Sequence, residues 1–269
     1  MRKLFYIMAI ILITFSCKER SYYENGNIKK VCIKEVFSDT IMCKEYFKNG
    51  NIKLFKKYYN NELNSHVIKY YKNGIKHEVF SYRNGMAHGV YKEYYKNGVI
   101  KKEGYFDEGK ASGDFYYYDE RGRLNEIREY VILEDESYLN QIKYFDIEGY
   151  IIGGSEFYEV LHNSDTICLD SLYFFNIVLH TSFADSIRFI FGNYSENYTS
   201  LKGIPDTLRF QKYSKNSNFF ELQRDGIIVS TKFGNNTYRG IIQAFDTDSI
   251  NNKVLMRQIY FKTNFHTPR

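Results

Sequence analysis

The groups in this 269-residue chain whose types and positions could carry chemistry are four cysteines, six histidines and a scatter of hydroxyls. His66, His77 and His88 recur at a spacing of 11, but no Cys, Asp or Glu stands beside them at metal-ligand spacing. Solvated strand histidines are the plainer reading, and no metal site is expected. Gly153-Gly154-Ser155 lacks the Gly-x-Ser-x-Gly elbow and any patterned partner, so it reads as a turn and not a nucleophile. With no phosphate loop, no dinucleotide fingerprint and no patterned carboxylate pair, the chain is expected to be non-enzymatic and to need no cofactor.

The amino terminus implies a modification. Arg2 and Lys3 precede a mostly apolar stretch from Leu4 to Phe15, too short to cross a bilayer as a helix but right for a signal-peptide core. It ends in Thr14-Phe15-Ser16-Cys17, and a small residue directly before a cysteine resembles the lipobox of bacterial lipoproteins. That resemblance implies a lipoprotein signal segment over 1–17 that is cleaved directly before Cys17, an acylated Cys17 as the first mature residue, and a membrane partner reached through the lipid. A plain secretory signal is the alternative. Lys18-Glu19 is similar to the start of mature lipoproteins in Bacteroidota, which implies the outer membrane of a Gram-negative envelope.

The rest of the chain must be built from strands. Aromatics make up 18% of the sequence, 27 Tyr and 22 Phe with no Trp, and only two prolines interrupt it. Tyr22, Tyr46, Tyr70, Tyr94 and Tyr118 recur every 24 residues, each followed four residues later by Gly26, Gly50, Gly74, Gly98 and Gly122. A second series, Asn61, Gly85 and Gly109, marks another turn per unit. Asn-Gly dipeptides at 25–26, 49–50, 73–74 and 97–98 supply the positive φ of tight hairpins. Between turns, apolar and polar residues alternate with the period of a half-buried strand. The expected fold is all-β: an elongated antiparallel hairpin array over 18–149, stable only because its units stack.

The run from Tyr94-Tyr95-Lys96-Asn97-Gly98 through Gly104-Tyr105-Phe106-Asp107-Glu108-Gly109-Lys110, with Gly113, resembles the bacterial variant of the MORN repeat found in the YwqK-like antitoxin family. The resemblance implies a hairpin array acting as a binding or scaffolding surface, without catalytic residues.

The 24-residue register also aligns Phe37-Ser38-Asp39-Thr40 with the outer turns, placing Cys32 and Cys43 on facing strands at or near opposed positions. In an oxidising compartment they are a candidate disulfide; two thiols one register apart are the alternative. Cys168 is expected to stay free.

After Gly153-Gly154 the period stops, and Lys and Arg fall from 23 in residues 18–149 to 12 in residues 150–269. Short apolar runs at 172–179, 186–191, 219–222, 227–231, 238–244 and 255–261 suggest about seven strands and a β-sandwich over 150–269, immunoglobulin-like in kind. Asp followed by Ser or Thr and then Ile or Leu occurs at 39–41, 165–167, 170–172, 185–187, 206–208 and 248–250, where composition alone gives about 0.3 such triplets. The triplet resembles the O-glycosylation signal of exported Bacteroidota proteins, which implies Thr40, Thr166, Ser171, Ser186, Thr207 and Ser249 as sugar acceptors. Turn chemistry, with the aliphatic residue opening a strand, accounts for it equally.

The formal charge of +5, about +3 without the signal peptide, gives no ground for a nucleic-acid partner. It is unevenly spread: residues 18–117 hold 19 basic and 12 acidic side chains, residues 118–149 hold 4 and 9. A basic aromatic sheet could hold anionic lipid headgroups or a glycan; alternatively its lysines guard strand edges against pairing. The expected function is therefore a lipid-anchored envelope protein that binds or scaffolds a protein, glycan or headgroup partner. An antitoxin or immunity protein and an envelope enzyme acting on polysaccharide are the rivals.

Overall fold

The computed structural model describes residues 18–35, 38–59, 64–162, 164–181, 186–198, 201–211, 220–229, 233–247 and 253–269. Cys17 and Ser249 lie outside them. Every regular element among the described residues is a strand. The first twelve are β1 (Lys18–Tyr22), β2 (Ile28–Lys34), β3 (Ile41–Tyr46), β4 (Ile52–Tyr59), β5 (Asn64–Tyr70), β6 (Lys76–Arg83), β7 (Met86–Ala87), β8 (Gly89–Tyr94), β9 (Ile100–Asp107), β10 (Lys110–Tyr118), β11 (Leu124–Leu133) and β12 (Glu136–Tyr144). They form one antiparallel sheet in chain order, with β7 paired to β6 beside the main path. Contacts divide the chain into two units. The first takes the described residues up to Lys110 together with Tyr118–Gly122; the second takes Ala111–Tyr117 and Arg123–Arg269.

In the first unit, opposed pairs carry one face across the strands: Cys32–Cys43, Cys43–Lys56, Lys56–Val67 and Val67–Phe80. The buried residues described in this unit, Cys32, Cys43, Ser65 and Val67, all lie on that face. Most other strand side chains are half-buried, as expected of a sheet that stabilises itself mainly by stacking hairpins.

The second unit adds β13 (Phe157–His162), β14 (Leu172–Thr181), β15 (Ser186–Tyr194), β16 (Leu201–Gln211), β17 (Phe220–Val229), β18 (Gly234–Thr247) and β19 (Lys253–Thr267). Two sheets, β13-β14-β17 and β16-β15-β18-β19, enclose a core at alternate positions. Tyr173, Phe175, Ile177 and Leu179 come from β14, and Ile187, Phe189, Ile242, Ile259, Phe261 and Phe265 from the other sheet. Gly240 is required on β18, because a Cβ there would overlap the Phe261 ring and lie 2.6 Å from the Ile190 carbonyl oxygen. The described parts of the runs at 219–222 and 227–231 belong to one strand, β17, and β13 and β16 belong to none of the expected runs.

The boundary expected at 149/150 falls inside this second unit, for a visible reason. Asn140 on β12 is fully buried and pairs with β19 as a backbone would. Its amide nitrogen donates to the Tyr260 carbonyl (2.8 Å) and its amide oxygen accepts from the Tyr260 N–H (2.7 Å). Tyr138 donates to the Gln258 carbonyl (2.7 Å), and Arg257 is ion-paired with Glu156 (2.6 Å).

Candidate binding edge of the array

The turns at residues 23–27, 47–51, 71–75 and 95–99 are superposable in their bonding. In each, the glycine N–H donates to the first residue's carbonyl (2.9 Å), and the first residue's N–H donates to the fifth's carbonyl (2.8 Å). Only the glycine enters the left-handed region, at φ between +82° and +89° for Gly26, Gly50, Gly74 and Gly98. These are type I turns closed by a glycine bulge, so the asparagine does not share the positive φ as the dipeptide suggested. Instead its Oδ1 accepts the N–H two residues on, at 3.2 Å in the turns of Asn25, Asn49 and Asn73 and 3.0 Å in that of Asn97. On the other edge, Asn84-Gly85 and Glu108-Gly109 have both residues at positive φ, the primed hairpin turn.

Each turn is also bonded to the next. Tyr23, Tyr71 and Tyr95 donate their hydroxyls to the carbonyls of Tyr46 (2.6 Å), Tyr94 (2.7 Å) and Tyr118 (2.8 Å), each 23 residues on. Phe47 occupies the same place without a hydroxyl. Asparagine amides add a second link. Asn27 donates to the Lys48 carbonyl (3.0 Å), Asn51 to Lys72 (2.8 Å), Asn73 to Lys96 (3.1 Å) and Asn97 to Glu120 (2.8 Å). At the interface lacking the tyrosine, Asn49 also reaches the Lys72 carbonyl, at 3.4 Å.

The backbone so fixed presents cations. Lys48, Lys72 and Lys96 occupy one position in three successive turns, all exposed, with Glu24 and Glu120 at the same position in the outer two. Lys29, Lys53, His77 and Lys101 occupy the bulged position that comes next. There Lys29 and Lys101 lie 5.9 and 6.0 Å from the ring centroids of Tyr23 and Tyr95, and the His77 ring lies tilted against Tyr71 with centroids 4.3 Å apart. Lys101 also donates to Glu93 (2.7 Å), which raises its pKa. Deeper in the sheet Lys92 and Tyr118 both donate to Glu103, at 2.8 and 2.9 Å, and hold its carboxyl below the ordinary value.

A cavity of about 190 Å³ on the more buried face is lined by Phe80, Tyr82, Tyr91 and Phe106, with Glu78 and His88 as its charged or titratable members. Glu78 is held by Lys69 (2.7 Å), and His88 faces Asp107 at 3.1 Å. His66 contacts Ser81 at 3.1 Å. Ser155 is buried and clamps its turn, donating to the Ile152 carbonyl (2.7 Å) and accepting from the Tyr144 N–H (2.9 Å).

Cys32 and Cys43 are directly opposed on β2 and β3, with Cα atoms 4.1 Å apart, and are joined by a disulfide. Cys168 is an exposed free thiol. Thr40 and Ser171 each stand directly before a strand, Thr166 bridges His266, and Ser186 opens β15. Thr207 departs from the turn expectation: it lies within β16, opposed to Ile190. No family model matches the chain, and no curated protein matches it.

Proposed function

We propose that the chain is a non-enzymatic, lipid-anchored protein of the cell envelope whose hairpin array is a binding surface. The observation that carries this reading is the stitched turn edge, where tyrosine and asparagine side chains fix each backbone to the next and leave identical lysines exposed. A surface held rigid before binding loses less entropy when a partner arrives. The similarity to MORN-type repeats and the apolar segment ending in Ser16-Cys17 support the same reading. The order β13-β14-β17 over β16-β15-β18-β19 supports an immunoglobulin-like sandwich as the carboxy-terminal part. Acyl chains on Cys17 bury methylenes at about 0.8 kcal/mol each, so the full chain should remain with membranes in high salt. Two experiments test the proposal on the expressed full chain. Fractionation of wild type and Cys17→Ala should show release or failed processing of the variant. Cross-linking in intact envelopes should recover a partner attached through the turns at 47–51, 71–75 or 95–99. Equal membrane retention of Cys17→Ala, or no cross-link from any turn, overturns it.

A further inference from the structure

We propose that the occupant of the turn edge is a linear acidic polysaccharide carrying one anion per disaccharide. The inference rests on the array being a binding surface and adds what it binds. Residues 47–102 hold 12 Lys and Arg against three Asp and Glu. Two of the three acids, Glu78 and Glu93, are already bonded to Lys69 and Lys101. Lys48, Lys72 and Lys96 form no ion pair among the described residues, and their carbonyls are pinned by the preceding turn's asparagines.

Consecutive turns lie two strands apart, so these lysines recur at about 10 Å along the edge. A disaccharide of extended pyranose rings repeats on the same scale, and one carboxylate or sulfate on each would meet one lysine. The right-handed twist winds the row, and a flexible polymer can track it. Nucleic acid fits poorly, since each strand of a duplex carries a phosphate about every 3.4 Å of its axis. A membrane presents a plane of charge, whereas Lys48, Lys72 and Lys96 form one row ended by Glu24 and Glu120, with Lys29, Lys53 and Lys101 set beside it.

The test uses hyaluronan hexasaccharide as the probe and detergent-solubilised full chain. Binding should be measurable by calorimetry, weaken as salt rises, and be absent for neutral dextran of similar length. Lys48→Ala/Lys72→Ala/Lys96→Ala should lose affinity about tenfold or more at unchanged melting temperature, whereas Lys30→Ala/Lys44→Ala should not. Equal affinity of the triple variant overturns the proposal. So does silence towards hyaluronan alongside binding to phosphatidylglycerol vesicles or DNA. If hyaluronan fails while envelope cross-links persist, the polysaccharide is wrong and the binding surface stands; loss of both removes the surface itself.

Discussion

Phe47→Tyr should stabilise the array. At the matching positions, Tyr23, Tyr71 and Tyr95 each donate one short hydrogen bond, 2.6 to 2.8 Å, to a carbonyl in the next unit. The aromatic ring is already in place at Phe47, so the substitution adds a hydroxyl facing the Tyr70 carbonyl by repetition. A net intramolecular hydrogen bond contributes about 0.5–1.5 kcal/mol, and removing a partner from a partly buried pair costs at least as much. Tyr71→Phe and Tyr95→Phe should therefore each cost about 1 kcal/mol, and Phe47→Tyr should gain somewhat less, because Asn49 and Asn51 already hold that interface. With a urea m-value of about 2 kcal/mol/M, 1 kcal/mol moves the midpoint by about 0.5 M. The hydroxyls are 24 residues apart and bond different carbonyls, so Tyr71→Phe/Tyr95→Phe should shift the midpoint by about the sum of the single effects. Urea titrations monitored by circular dichroism at constant m decide it. Unchanged midpoints for Tyr71→Phe and Tyr95→Phe would show that the hydroxyls contribute nothing, and a destabilised Phe47→Tyr would show that the third interface has a different geometry.

Four other outcomes rest on specific contacts. Asn140→Leu leaves both the N–H and the carbonyl of Tyr260 without their partner and should cost about 2 kcal/mol or more, read as a lower urea midpoint; a neutral result would dissociate β12 from β19 energetically. Gly240→Ala forces a Cβ against Phe261 and the fixed Ile190 carbonyl and should cost about 1–3 kcal/mol, whereas Gly153→Ala, with nothing within 4 Å, should be neutral or slightly stabilising. Because Glu103 has a lowered pKa, its contribution is fully present above the ordinary glutamate value of about 4.3 and is lost as pH falls through the folded value. Melting temperature should then fall less between pH 6 and pH 3 in Glu103→Gln than in wild type, and parallel curves would contradict this. The Cys32–Cys43 bridge closes a short loop and should contribute about 2–3 kcal/mol; alkylation of both residues in unreduced, denatured protein would refute it.

The all-β class and the places of the turns were legible because glycine at a fixed interval reports a backbone constraint directly: Gly26, Gly50, Gly74 and Gly98 all sit at positive φ. The turn type was not, since Asn-Gly suits two hairpin geometries and only the bonding of Tyr23, Phe47, Tyr71 and Tyr95 to the fifth residue distinguishes them. In the sandwich, the central strands β14, β15 and β18 stood out as continuous apolar runs. The edge strands β17 and β19 also carried apolar runs, but β13 and β16 did not: β16 contains Lys202, Gly203, Pro205 and Asp206, which an edge tolerates because one side of its ladder is unpaired. Within the candidate site, Lys48, Lys72 and Lys96 stand 24 apart in the sequence, each directly before an Asn-Gly pair, but the spacing does not show what fixes them. Their row depends on Tyr71 and Asn73 bonding forward to residues 23 positions on, a relation that neither composition nor local pattern displays. Asn140, polar and inconspicuous in sequence, is buried by partners 120 residues away.

The forward bonding has a direction. Each of the first four turns donates to its successor, and at the fifth Asp119 replaces the tyrosine and accepts from the Arg121 N–H within its own turn (2.9 Å). Tyr118 and Glu120 still receive the last two bonds. A segment of 24 residues removed or duplicated between Tyr23 and Tyr118 would therefore leave every donor facing an acceptor, with Tyr118 and Glu120 still receiving the last two bonds. The gene can lengthen or shorten this edge in whole steps, adding or subtracting one lysine each time, without redesigning either terminus.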